Sequence, residues 1–232
     1  MTDARRSWFR SRRRPAAARH RPAGDPVHIA VVLDRSGSMA SIASDVIGGC
    51  NTFLDGQRHV AGDAVVTLVQ FDSQDPFEIL VDGADLATTS GVDPARYRPR
   101  GTTPLYDAVG AMIGRLDERA ADPVHGPEDV VVVLITDGLE NASRRWDRRR
   151  VFDLIAARKR DGWTFVFLGA DQDAYAAGAG IAVARGSARE WVRSPEGVGN
   201  MFADLDEAMT GHRSKPSAQR RADVDEFFDP PE

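Results

Sequence analysis

An apolar run that stops abruptly at regularly spaced oxygen donors constrains this chain more than any other feature. Ile29 to Leu33 is apolar throughout, and Asp34-Arg35-Ser36-Gly37-Ser38 follows at once. A short continuous apolar run marks a strand buried on both faces of a parallel sheet. Asp34, Ser36 and Ser38 occupy alternate positions, and alternate side chains of an extended segment point the same way. One carboxylate and two hydroxyls are thus aimed beyond the carboxyl end of a strand, where open α/β sheets place their ligands. Oxygen donors without sulfur or imidazole suit Mg²⁺, Mn²⁺ or Ca²⁺ rather than zinc or copper.

Two further segments extend the pattern. Gly101-Thr102-Thr103-Pro104-Leu105-Tyr106-Asp107-Ala108-Val109 is a threonine-bearing loop that enters a helix. Val130 to Gly138, Val-Val-Val-Val-Leu-Ile-Thr-Asp-Gly, is a second apolar strand ending in an aspartate. In this order the three segments resemble the von Willebrand factor A (vWA) domain with its metal-ion-dependent adhesion site, over roughly residues 27–212. The closest description is a stand-alone, bacterial-type member.

The resemblance implies an α/β, Rossmann-like vWA fold: a mostly parallel central sheet with one antiparallel edge strand and helices on both faces. It also implies a ligand set of Asp34, Ser36, Ser38, Thr103 and Asp137. In that family the serine hydroxyls, and often the threonine, bind the cation directly, and the aspartates act directly or through water. A coordination position stays open, and a partner protein fills it with a carboxylate. Mg²⁺ is the expected cofactor, with Mn²⁺ or Ca²⁺ as alternatives. The charge balance agrees independently, because two aspartates roughly offset a divalent cation and leave it electrophilic.

Taken singly, these residues have ordinary structural readings. Asp34 and Ser36 can cap the next helix, Thr103 can begin one, and Asp137-Gly138 can be a plain turn. Their joint occurrence at strand ends and a helix entry favours the metal site. Asp107, Glu140 and Asp72 are nearby acids for which structural roles are expected. The histidines at 20, 28, 59, 125 and 212 have no metal-ligand spacing.

Periodicity places the rest. Strands are expected at His28–Leu33, Val65–Phe71, Glu78–Val81, Val130–Thr136 and Thr164–Gly169, with a short one near Ile181–Ala184. The second and third fit an antiparallel hairpin at the sheet edge. Helices are expected at about Ser41–Arg58, Leu105–Ala121, Arg148–Arg160 and Pro195–Met209. The last begins with Ser194-Pro195-Glu196, a good N-cap and first turn. Residues 1–25 are expected to be a disordered Arg-rich tail, 26–212 the vWA domain, and 213–232 a disordered acidic tail carrying Phe227-Phe228.

The charge distribution is uneven. The net charge is −5, yet residues 1–24 hold eight of the 30 basic and one of the 35 acidic residues, leaving 22 against 34 beyond them. Within that acidic remainder, Arg35, Arg98, Arg100, Arg144, Arg145 and Arg148 to Arg150 gather near the three motifs. Arg35, Arg100, Arg144 and Arg145 are therefore expected to form a basic rim that steers an acidic partner to the metal. The arginine-for-lysine skew suggests a GC-rich coding genome, and no nucleic-acid partner is expected. One cysteine, Cys50, permits no internal disulfide. With no apolar signal region and no apolar run of membrane-spanning length, a cytoplasmic location is expected. No feature specifies an oligomeric state.

Function follows as a non-enzymatic, divalent-cation-dependent protein–protein interaction module. One alternative is a metal-free interaction scaffold. Another is a haloacid-dehalogenase-like phosphatase using Asp34, although Ser36 stands where that family has a second aspartate and Lys159 falls in a helix. Neither Gly-x-Gly-x-x-Gly after the first strand nor Gly-x-x-x-x-Gly-Lys occurs, so nucleotide binding has no support.

Overall fold

The computed structural model describes residues 25–171 and 173–228. The expected N-terminal tail lies almost wholly outside these residues. Six strands form one sheet in the order β3-β2-β1-β4-β5-β6. They are β1 (Val27–Asp34), β2 (Ala64–Phe71), β3 (Glu78–Asp85), β4 (Asp129–Thr136), β5 (Thr164–Ala170) and β6 (Ala188–Trp191). β1 pairs in parallel with β2 and β4, and β5 pairs in parallel with β4 and β6. Only β3 is antiparallel, on β2 at the edge. The architecture is the mostly parallel, Rossmann-like sheet expected from the sequence.

The central strands are apolar on both faces because both are covered. Ile29, Val31 and Leu33 face one side with α1 (Ala43–His59) and α5 (Pro195–Ser214). Ala30 and Val32 face the other with α2 (Leu105–Ala121), α3 (Arg148–Arg160) and α4 (Ala174–Ala179). Helix α1 lies close on α5: a Cβ added to Gly49 would sit 2.2 Å from the Phe202 ring. Cys50 is buried in this layer, and burial pushes its thiol up to about 12, so it packs as a small apolar residue.

Strand order reverses at β1, which has β2 on one side and β4 on the other. The crevice outside the carboxyl ends of β1 and β4 is thus the topological switch point where such sheets bind ligands. Asp34 ends one of these strands and Asp137 follows the other.

Two expectations are corrected here. Ile181–Ala184 is not a strand. Ile181 N and Val183 N both donate to Gly178 O, and Ala182 has φ 66°, so the segment is a turn closing α4. Ile181 and Val183 are buried by packing rather than by pairing in a sheet, and the sixth strand begins at Ala188. The segment from 213 is not a disordered tail as far as it is described, through residue 228. Helix α5 continues to Ser214, and α6 (Ser217–Ala222) follows. Arg213 donates to Gln57 O and Gly62 O, while Arg220 Nε lies 2.8 Å from Asp129 Oδ2. Phe227 is 6% exposed and sits in the α1/α5 core beside His212.

Candidate metal centre

Asp34 is fully buried at the end of β1. Its Oδ1 accepts a hydrogen bond from Ser36 N at 2.6 Å, and its Oδ2 accepts one from Thr136 Oγ1, also at 2.6 Å. Burial raises its carboxyl to about 6, although the Thr136 and Ser36 bonds oppose the rise and nearby Asp137 adds to it. A carboxylate this poorly solvated gains from a cation beside it. The backbone then turns into a tight helical segment, Gly37–Ile42. Ser36 stands at its N-cap but makes no capping side-chain bond. Instead Ser36 Oγ lies 3.1 Å from Ser38 Oγ, and Ser38 Oγ donates to Asp137 Oδ1 at 2.6 Å. The ordinary capping role is thus vacant for Ser36, and its hydroxyl is directed into the cluster.

Thr103 reaches the same place from a loop tied at both ends. Gly37 N donates to Gly101 O, and Gly101 holds φ 65°, a region in which glycine is favoured. Thr103 N donates to Asn141 Oδ1 and Asn141 N donates to Thr103 O, joining this loop to the one after β4. A Cβ built on Gly138 would lie 3.5 Å from Thr103 Oγ1, so the threonine hydroxyl faces the residue next to Asp137. Asp34, Ser36, Ser38 and Asp137 are therefore one hydrogen-bonded chain, with Thr103 against its end.

The remaining acids are structural. Asp107 accepts the backbone N–H groups of Arg144, Arg145 and Trp146. Glu140 accepts those of Tyr106, Ala142 and Ser143. Both carboxylates are spent shaping the loop after β4. Asp72 is buried, which by itself would raise its carboxyl. Hydrogen bonds from Arg100 and from the Gln74 and Asp75 N–H groups, with the charge of Arg35, hold it below the usual range.

The expected basic rim is corrected at one position. Arg35 is 3% exposed and turned inward, paired with Asp72 and Glu78. It alternates with Asp34 and Ser36 on an extended segment, so it must point away from the cluster. Arg100 is half-exposed on Asp72, and Arg144 and Arg145 are exposed.

Three residues of the neighbourhood were not singled out from the sequence. Thr136 could have been, since it immediately precedes Asp137. Tyr97, whose buried phenol donates to Asp34 O at 2.6 Å, lies in an irregular loop without a pattern. Arg193 lies in the turn before α5, and its Nη1 is 3.3 Å from Asp137 Oδ2.

The donor set is two carboxylates and three hydroxyls, which fits a hard divalent cation. Among the described residues, no three His, Cys, Asp or Glu side chains converge as a metal site. The candidate centre accordingly depends on its serine and threonine oxygens.

No family model matches the sequence, and no curated protein sequence does. Solved structures do. The pilus adhesin SpaC from Lactobacillus rhamnosus GG superposes with a TM-score of 0.64 at 16% identity, covering 82% of this chain and 31% of the adhesin. The vWF domain of the type V pili tip protein Mfa5 from Porphyromonas gingivalis matches at 0.58 and 13% identity, covering 84% of this chain and 98% of that domain. Proximal thread matrix protein 1 from the mussel byssus, with a zinc-occupied MIDAS motif, matches at 0.56 and 15% identity, covering 81% of this chain and 46% of that one. Sheet order, the single antiparallel edge strand and these superpositions agree that this chain has the von Willebrand factor A fold.

Proposed function

We propose that the chain is a non-enzymatic module that binds a partner protein through a divalent cation held by Asp34, Ser36, Ser38, Thr103 and Asp137, with Mg²⁺ as the physiological ion. The observation that carries the reading is the chain of oxygen donors at the switch point, in which Ser36 leaves its capping role and Asp34 is buried beside Asp137. A bound cation would offset that burial and offer an open position to a carboxylate from the partner. The exposed Arg100, Arg144 and Arg145 would attract such an acidic surface. The similar structures are those of a pilus adhesin, a pili tip protein and a thread matrix protein of the mussel byssus. A cytoplasmic location is part of the proposal, supported by the single free, buried cysteine.

A phosphatase reading loses support from the geometry. Lys159, the lysine such chemistry would need, donates to Ala182 O at 2.9 Å and pairs with Asp225. A metal-free scaffold is favoured by one observation: the donors already satisfy one another through hydrogen bonds. Calorimetric titration with Mg²⁺ separates the cation site from the metal-free scaffold, and a phosphatase assay tests the enzyme reading. Binding by the wild type that disappears in Asp34→Ala and Asp137→Ala supports the cation site, and equal heats in all three proteins would falsify it. Capture of a partner from the native lysate in Mg²⁺, and its release by EDTA, tests the interaction itself.

A further inference from the structure

The two oxygens of Asp137 face different groups. Oδ1 accepts from Ser38 within the donor cluster, whereas Oδ2 lies 3.3 Å from Arg193 Nη1. Arg193 is held from its other edge as well: its Nε is 3.0 Å from Asp171 Oδ2. Asp171 directly follows β5 and has φ 49°, a left-handed conformation that aspartate tolerates better than most residues. Its Oδ1 also accepts the backbone N–H of Arg193 at 3.4 Å. Backbone strain of this kind persists where the surroundings enforce it. Here it places a carboxylate so that the Arg193 guanidinium stays beside Asp137, and Ser194, the next residue, is the N-cap of α5. The arginine is therefore anchored on both sides and is not a swinging surface chain.

We infer that Arg193 is a tethered positive charge that sets the cation affinity of the candidate centre and makes the loaded centre able to accept a further carboxylate. This rests on the divalent-cation reading above. Asp34, Asp137 and Asp171 bring three negative charges to the neighbourhood and Arg193 brings one positive charge, so a divalent ion leaves the group neutral. Without Arg193 the same ion would leave a net negative charge. The ion would be held more tightly, and an incoming carboxylate would be opposed. Arg193 thus exchanges affinity for the ion against receptivity to an acidic ligand. Asp171, by holding Arg193, is a positioning residue.

The test is titration of the full chain with Mn²⁺, read from the electron paramagnetic resonance signal of the free ion at low ionic strength. Arg193→Gln should bind Mn²⁺ about 3–10-fold more tightly than wild type, the order expected for one unit charge removed near the ion in a solvated setting. The gain should shrink as salt is raised. Arg193→Lys, which keeps the charge, should stay near wild type, and Asp171→Asn, whose amide oxygen can still accept from Arg193 while the carboxylate charge is lost, should bind more weakly. Opposite signs for Arg193→Gln and Asp171→Asn are the signature of charge, since a merely structural clamp would weaken both. Wild-type binding with Arg193→Gln equal or weaker, in a protein that melts like wild type, overturns the role of Arg193. If Arg193→Gln does not fold, the Lys and Asn variants decide: equal weakening in both overturns the inference. Wild type that binds Mn²⁺ no better than Asp34→Ala instead overturns the cation reading beneath it.

Discussion

Removing the imidazole of His212 should flatten the acid side of the stability profile. His212 lies on α5, 4% exposed, with its ring centroid 5.6 Å from that of Phe227. Burial, reinforced by the charges of Arg220 and Lys215, lowers it from 6.5 to about 4, while Asp129 and Asp223 pull weakly the other way. The unfolded chain takes up this proton near 6.5, but the folded chain refuses it until about 4. Between those values the unfolded state binds more protons, so stability falls as pH falls. Well above 6.5 neither state is protonated and the effect vanishes. A shift of this size removes about 2 kcal/mol by pH 5 and about 3 kcal/mol by pH 4. That is a large part of the roughly 5–15 kcal/mol that holds a domain together. Other groups titrate at the acid end of this range. Glu128, for example, is brought down to about 2, because the bonds and charges of His28 and Arg119 outweigh its burial, and it loses stabilisation below 4.5. The measurement is therefore a difference. Urea unfolding of wild type and His212→Gln is followed at pH 7.5, 6, 5 and 4. The variant carries a fixed packing cost at pH 7.5, and the gap to wild type should shift in its favour by about 2 kcal/mol at pH 5. Stability curves that run parallel from pH 7.5 to pH 4 would refute the buried neutral imidazole.

Other outcomes follow from the same structure. Ser36→Ala and Ser38→Ala should abolish Mg²⁺ binding in calorimetry while melting near wild type, whereas Leu33→Ala, fully buried in β1, should lose ~2–5 kcal/mol in denaturant unfolding. Phe227→Ala should cost about 3 kcal/mol, at the low end for a buried aromatic because the site lies at the edge of the core; no loss in urea unfolding would return this segment to the status of a tail. Asp107→Ala strands three backbone N–H groups of the loop after β4. It should destabilise by several times the ~1 kcal/mol of an average hydrogen bond, and it should change the fluorescence of a single-tryptophan variant retaining Trp146. An Asp107→Ala protein with wild-type stability and emission would mean that the carboxylate does not shape this loop.

Much of the fold was legible because it depends on local patterns. Apolar runs at Ile29–Leu33 and Val130–Ile135 required strands covered on both faces, and the 3.6-residue period read at about Leu105–Ala121 and Arg148–Arg160 coincides with α2 and α3. That the five candidate donors would meet was legible because each falls at a strand end or helix entry, positions that the parallel topology brings to one edge. What the sequence could not decide was which way long side chains turn and what distant segments cover. Arg35 was assigned to the basic rim by its place in the first motif, but strand alternation and the buried Asp72 turned it inward. Ile181 and Val183 had strand-forming side chains, yet their N–H groups were already committed to closing α4. Residues 213–228 resemble a solvated tail in composition. Only the packed structure supplies Asp129 for Arg220 and a core for Phe227. Arg193 and Asp171 carry no motif, and their meeting with Asp137 exists only once β4, β5 and β6 lie side by side. The sequence by itself determined the central strands, the long helices and the candidate donor residues, through hydrophobic period and spacing. The tertiary structure decided the charge around those donors, because ion pairs join residues far apart in the chain that no local pattern records.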